Sequence, residues 1–77
     1  MKSLLEFLIN HLVAHPEDVV VEESNEDDTY IYTIRVHEED IGKVIGKNGS
    51  VIAAIRTIAK MRAIKEHIRV KIQLAEE

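Results

Sequence analysis

All three glycines of this 77-residue chain fall in one short stretch, Ile41-Gly42-Lys43-Val44-Ile45-Gly46-Lys47-Asn48-Gly49-Ser50-Val51-Ile52. Nothing else in the sequence narrows the choice of fold as much. Glycine accepts positive φ and lets another chain come close to the backbone, and asparagine is at ease in the left-handed region. Gly46-Lys47-Asn48-Gly49 therefore reads as a tight turn, poor in side chains, that presents backbone amides and one cation. An apolar pattern of helical period begins at Ser50, which sets the turn at a helix N-terminus. Free N–H groups and a partial positive charge gather there, and phosphate is a natural occupant.

The length admits one small domain, residues 1–77, and the 45% apolar content allows it a compact core. The absence of cysteine removes disulfides and thiolate metal sites, and it fits a reducing cytoplasm. No segment is long and apolar enough to span a membrane. Met1-Lys2-Ser3-Leu4-Leu5 briefly imitates a signal peptide, but Glu6, Asn10 and His11 interrupt the run and no small-residue cleavage site follows. The net charge of −4 alone argues against nucleic acid, yet its distribution does not. Residues 1–40 hold 11 acids and 2 bases, a net of −9; residues 41–77 hold 3 acids and 8 bases, a net of +5. Such a split predicts a basic face on an acidic body.

Leu5, Leu8, Ile9 and Leu12 have helical spacing, which predicts a helix over 4–14, with Ser3 and Glu6 in a capping-box pattern and Pro16 as the stop. His11 and His15 are four apart, a spacing that can hold a metal. No third ligand lies at a sensible spacing, so they read as exposed histidines at the helix C-terminus, and no metal is expected. Val19-Val20-Val21 predicts a short strand, and the acid-rich 22–28 a turn or loose hairpin tip. Tyr30 to Val36 alternates as a strand with one buried face, and its tyrosines are expected in cross-strand packing. His37-Glu38-Glu39-Asp40 opens a short helix that Gly46 must stop. From Ser50 to about Lys65 the inward stripe is Val51, Ile52, Ile55, Ile58 and Ala59, with Arg56 and Lys60 sharing an outward side and Arg62 and Lys65 nearby. Ile68 to Leu74 alternates again, a third strand, and Glu76-Glu77 reads as a frayed tail.

The order α-β-β-α-α-β, together with Ile-Gly-Lys-Val-Ile-Gly-Lys-Asn-Gly and the Val-Ile-Ala-Ala-Ile-Arg that follows Ser50, resembles the KH domain of the bacterial type, type II, over essentially the whole chain. That family's G-x-x-G loop clamps a short run of unpaired nucleotides by its backbone. The resemblance implies an α+β fold whose three-stranded mixed sheet is covered on one face by helices. It implies that Gly46, Lys47, Asn48 and Gly49 hold a sugar-phosphate backbone, with Gly42 as a close-approach position and Lys43 as a second cation. Ser50 stands where many KH domains place Lys or Arg; it can cap the helix and donate to phosphate, but the missing charge implies modest, salt-dependent affinity. Arg56 extends the basic side along the helix. Ile45 and Ile52 are either apolar groove floor or core. A chain this short with nothing appended also resembles the small stand-alone bacterial members of the family. That implies a cytoplasmic RNA chaperone that self-associates and pairs with a larger KH-containing protein, linked to cell elongation and peptidoglycan homeostasis.

An enzyme is not expected. The glycine spacing G-x-x-x-G-x-x-G is neither the dinucleotide fingerprint nor a P-loop, and Asn48 follows Lys47 where a P-loop needs Ser or Thr. No serine has an evident histidine partner, and no cofactor or small-molecule substrate is implied. The competing reading is a protein-interaction module whose helix–loop–helix is a dimer surface, with nucleic acid incidental. Phe7, Tyr30 and Tyr32 are too few to make the stacking platform of other single-strand binders.

Overall fold

The computed structural model describes residues 1–75. Its elements are α1 (Lys2–Asn10), β1 (Val20–Glu26), β2 (Thr29–Arg35), α2 (Ile41–Ile45), α3 (Ser50–Glu66) and β3 (Arg69–Leu74), with single 3-10 turns at Pro16–Asp18, Glu38–Asp40 and Lys47–Gly49. The strands lie in the order β1-β2-β3. β1 and β2 are antiparallel, from Val20 against Arg35 to Glu26 against Thr29; β2 and β3 are parallel, from Thr29 against Arg69 to Ile34 against Leu74. A parallel neighbour needs a crossover, and α2 and α3 supply it. This is the α+β, type II KH arrangement that the sequence implies.

The two-residue period of the strands decides what goes inside. Val21, Tyr32, Ile34 and Ile72 point to one face and are buried. The helices close that face with Leu5 and Ile9 from α1, Val44 from α2, and Ile52, Ile55, Ala59 and Ala63 from α3. Tyr30, Val36, Val70 and Leu74 pack around this core. The tyrosines thus serve packing: Tyr32 is 3% exposed. No helix among the described residues is long and apolar enough to cross a membrane.

Several local expectations are corrected. Met1, not Ser3, is the N-cap of α1, and no side chain caps it, so the Ser3–Glu6 box does not form. Nor does Ser50 cap α3: Gly49 holds the N-cap position, and again no side chain bonds there. α1 ends at Asn10 instead of running to Pro16. The amides of Leu12 and Val13 turn back on the Ile9 carbonyl at 2.9 and 3.3 Å. Those of Ala14 and His15 then donate to the two Asp40 oxygens, each at 3.0 Å. A buried carboxylate thus takes amides that a longer helix would need for itself. The acid-rich 22–28 is mostly strand. β1 runs to Glu26, and Asp27 and Asp28, at φ 52° and 65°, form a two-residue hairpin of the kind that matches strand twist. Ile58 leaves the inward stripe and is 41% exposed, because the buried line runs through Ile52, Ile55, Ala59 and Ala63. The tail expected at Glu76-Glu77 lies outside the described residues.

Candidate nucleic-acid interface

α2 is only five residues long and ends where Gly46 takes φ 77° and ψ 172°. The Gly46 amide still donates to the Gly42 carbonyl at 2.9 Å. Lys47, Asn48 and Gly49 then make one 3-10 turn, closed by the Gly49 amide on the Gly46 carbonyl at 3.1 Å. Asn48 sits at φ 57° and Gly49 at φ 75°, and α3 starts at the next residue. Lys47 and Asn48 open this helical run, so their amides have no carbonyl one turn back within it.

The glycines do different work. A Cβ on Gly46 would lie 2.7 Å from the Val51 Cβ and 2.8 Å from the Val51 amide nitrogen, and would collide with Val51 Cγ2 as well. Its bareness lets the turn fold back on α3. Gly49 and Gly42 face open space, with nothing within 4 Å of an added Cβ. At Gly49 the requirement is the positive φ. At Gly42, which is helical, no fold requirement exists, and the bare backbone is open to a partner.

Lys47, Asn48 and Ser50 are exposed, and among the described residues Lys47 takes part in no ion pair. Lys43 is partly engaged: its Nζ stands 3.5 Å from Asp40 Oδ1. Of the two isoleucines, Ile45 is half-buried, whereas Ile52 is 8% exposed and belongs to the core. Asp40 was legible only as one of three helix-opening acids, yet it is fully buried. Burial alone would push its carboxyl up. The Ala14 and His15 amides and the Lys43 ammonium outweigh that and hold it below the ordinary carboxylate range. Asp40 therefore ties the end of α1 to the start of α2 and fixes the helix that carries Gly42 and Lys43.

Beside α3 a groove of about 600 Å³ runs to the free edge of β3. Its floor is Ala63, Ile64, Ile68, Val70 and Ile72, and its rim is Arg56, Lys60, Arg69 and Lys71. The Arg56 Nε–H reaches the Ile72 carbonyl at 3.4 Å and bridges helix to strand. Of the site residues singled out from the sequence, Arg56 alone lines this groove; the others cluster at the turn or, like Ile52, enter the core. Arg56 is seven residues along α3 from Gly49, about 10 Å at helical rise. Reading the sequence missed Lys60, Arg69 and Lys71 as site residues. Their signal was present in the shared outward side of Arg56 and Lys60 and in the outward set of the last strand, but which helix face meets which strand edge is a tertiary fact.

A family model described as KhpA/KhpB, KH domain, matches residues 2–74. The chain is 45% identical over 74 residues to the RNA-binding protein KhpA of Clostridium perfringens, covering 96% of this chain and 99% of that one. It is 42% identical over 77 residues to the RNA-binding protein KhpA of Chlamydia pneumoniae, covering 100% and 99%. To the protein of that name from Thermotoga maritima it is 47% identical over 58 residues, 75% of this chain and 77% of the relative. No solved structure gives a significant match.

Proposed function

The chain belongs to the KhpA/KhpB KH-domain family, and from that premise we propose that it binds single-stranded RNA through the Gly46–Gly49 turn and the groove beside α3. The observation that carries this reading is the exposed turn itself. Three of its four residues are at positive φ, its one cation has no ion-pair partner among the described residues, and a 17-residue helix begins behind it. Lys47 supplies a point charge to a phosphate, the Lys47 and Asn48 amides supply donors, and Gly42 and Gly49 let the ribose-phosphate chain approach. Ser50 adds a hydroxyl. Arg56, with Lys60, carries the strand's charge onward, while Ile45 and the apolar groove floor take base faces. Resemblance to the family puts about four nucleotides in such a site. The role is binding, not catalysis, and needs no cofactor.

On the same premise the chain acts in the cytoplasm as an RNA chaperone and post-transcriptional regulator. It works with a larger KhpB-type partner in cell elongation and peptidoglycan homeostasis. Self-association has support of its own: Ile58 and Met61, outside the groove, are 41% and 65% exposed and lie three residues apart on one side of α3. A dimer would double the RNA sites and raise avidity, so the two roles coexist.

One double substitution separates them. Lys47→Asp with Asn48→Asp weakens binding of a labelled single-stranded RNA, read by fluorescence anisotropy, by roughly tenfold or more. It leaves the circular dichroism spectrum and the mass in solution unchanged. Ile58→Ser with Met61→Ser lowers the mass in solution and keeps the intrinsic RNA affinity. Unchanged RNA affinity in the first variant sinks the assignment of the turn.

A further inference from the structure

We propose that His15, His37 and Glu39 form a binding site for a divalent transition metal ion of the Zn²⁺ type, separate from the nucleic-acid surface. The fold brings these residues together from the chain after α1 and the turn before α2. One ligand atom from each lies within 4.8 Å of the other two. His15 Nε2 is 3.0 Å from Glu39 Oε1, close to the spacing of two adjacent ligands on one ion. The His37 ring lies against the His15 ring, centroids 4.1 Å apart at an interplanar angle of 24°, and tilts out of this stack to turn its in-plane lone pair onto the ion. The pair suggested by sequence spacing, His11 and His15, is not the one assembled. His11 Nδ1 instead lies 2.8 Å from the Phe7 carbonyl of its own helix.

The donor set selects the metal. Two imidazoles and a carboxylate suit Zn²⁺ and its neighbours, whereas Ca²⁺ and Mg²⁺ want oxygen shells. Three protein ligands leave a fourth position for water, and Glu39 is well exposed, so the ion exchanges freely. An outer partner is also in place. Glu17 Oε2 lies 3.7 Å from His15 Nδ1, on the ring nitrogen that faces away from Glu39. A small closure makes it the carboxylate that orients a metal-bound histidine. Binding replaces the proton between His15 Nε2 and Glu39. His37 enters through Nε2: its ring proton moves to Nδ1, and the exposed Glu39 amide gives up its 3.0 Å bond to that nitrogen in favour of water. The occupied site ties the end of α1 to the start of α2, beside the Asp40 clamp, so metal stabilises the fold by linkage.

The test is calorimetric titration of the full chain with ZnCl₂, alongside thermal unfolding with and without the ion. One Zn²⁺ per chain is expected, with a rise in Tm that a chelator reverses. Binding weakens by roughly tenfold or more in His15→Ala and in His37→Ala. His11→Ala is the control and binds as the parent does. Co²⁺ gives a second readout, a visible absorption band that the parent and His11→Ala develop and the His15 and His37 variants lack. No saturable uptake by the folded parent overturns the proposal. So does uptake that survives both His15→Ala and His37→Ala, or uptake that His11→Ala abolishes.

Discussion

At the scale of single residues, the three glycines make separable predictions. Gly42 sits inside α2 with open space around its missing Cβ. Gly42→Ala removes a flexible helix residue and stabilises the fold by about 0.5–1 kcal/mol in urea denaturation. It also weakens RNA binding, because the new methyl stands on the surface offered to the strand. A variant that is both more stable and weaker in binding is hard to explain by misfolding. Gly49→Ala has room but inherits φ 75°, at a cost of about 1–2 kcal/mol. Gly46→Ala pays a similar conformational cost and also drives a Cβ against backbone at 2.8 Å, which cannot swing aside. It is the most destabilised of the three, by roughly 3 kcal/mol or more. Equal stabilities for the Gly46 and Gly49 variants would contradict this geometry. Tyr32 carries a pH prediction. Burial comes first among the causes that push its phenol up to about 12, followed by the nearby Glu23 carboxylate. The raised value means that stability is intact below the ordinary value of 10.0 and is lost as pH climbs through the folded value. Alkaline unfolding should therefore begin above about pH 10 and track the ultraviolet phenolate signal. Tyr32→Phe removes that part of the slope.

At the scale of elements, the periodic segments were legible and the clamped ones were not. β2 and β3 follow from alternation, and α3 from a stripe that recurs from Val51 to Ala59, because each has enough residues for its period to show. The end of α1 is hidden in the sequence, since its apolar spacing runs on through Leu12, and only a carboxylate 25 residues further on takes up the His15 amide. The length of β1 is hidden too, since its exposed acids lack a strand pattern of their own and are held by pairing with β2. α2, with five residues, cannot hold itself by local propensity. Its position depends on Val44 in the core and on Asp40 at its start. Asp40→Ala orphans two backbone amides and should lower Tm by roughly 10 °C. Because α2 carries Gly42 and Lys43, the same variant should loosen RNA binding at temperatures where it remains folded. Unchanged melting would mean that the amides of Ala14 and His15 find other acceptors.

At the scale of the molecule, the distance between the glycine turn and the acidic hairpin bears on the charge split seen in the sequence. The helix spans 17 residues, about 25 Å, with the glycine turn at its start. The acidic hairpin sits at its far end, where Thr29 follows Asp27-Asp28 and pairs with Arg69. The acids of the hairpin tip, Glu26, Asp27 and Asp28, are thus held a helix length away from the turn, and Asp40, the acid nearest the site, is buried and already bonded to the Ala14 and His15 amides. At 0.15 M salt the screening length is about 8 Å, so a strand at the turn is governed by the nearby cations and scarcely by the hairpin. The salt dependence of RNA affinity measures how many cations that is. Lys47, Arg56 and Lys60 give about three phosphate contacts, hence a log–log slope of about −2 for a single strand. Lys47→Gln should reduce the slope by about 0.7, whereas neutralising Asp27 and Asp28 should leave it nearly unchanged. A slope that responds to the hairpin as strongly as to Lys47 would place the RNA at the far end of α3 only, and the Gly46–Gly49 turn would have to be given up as its anchor.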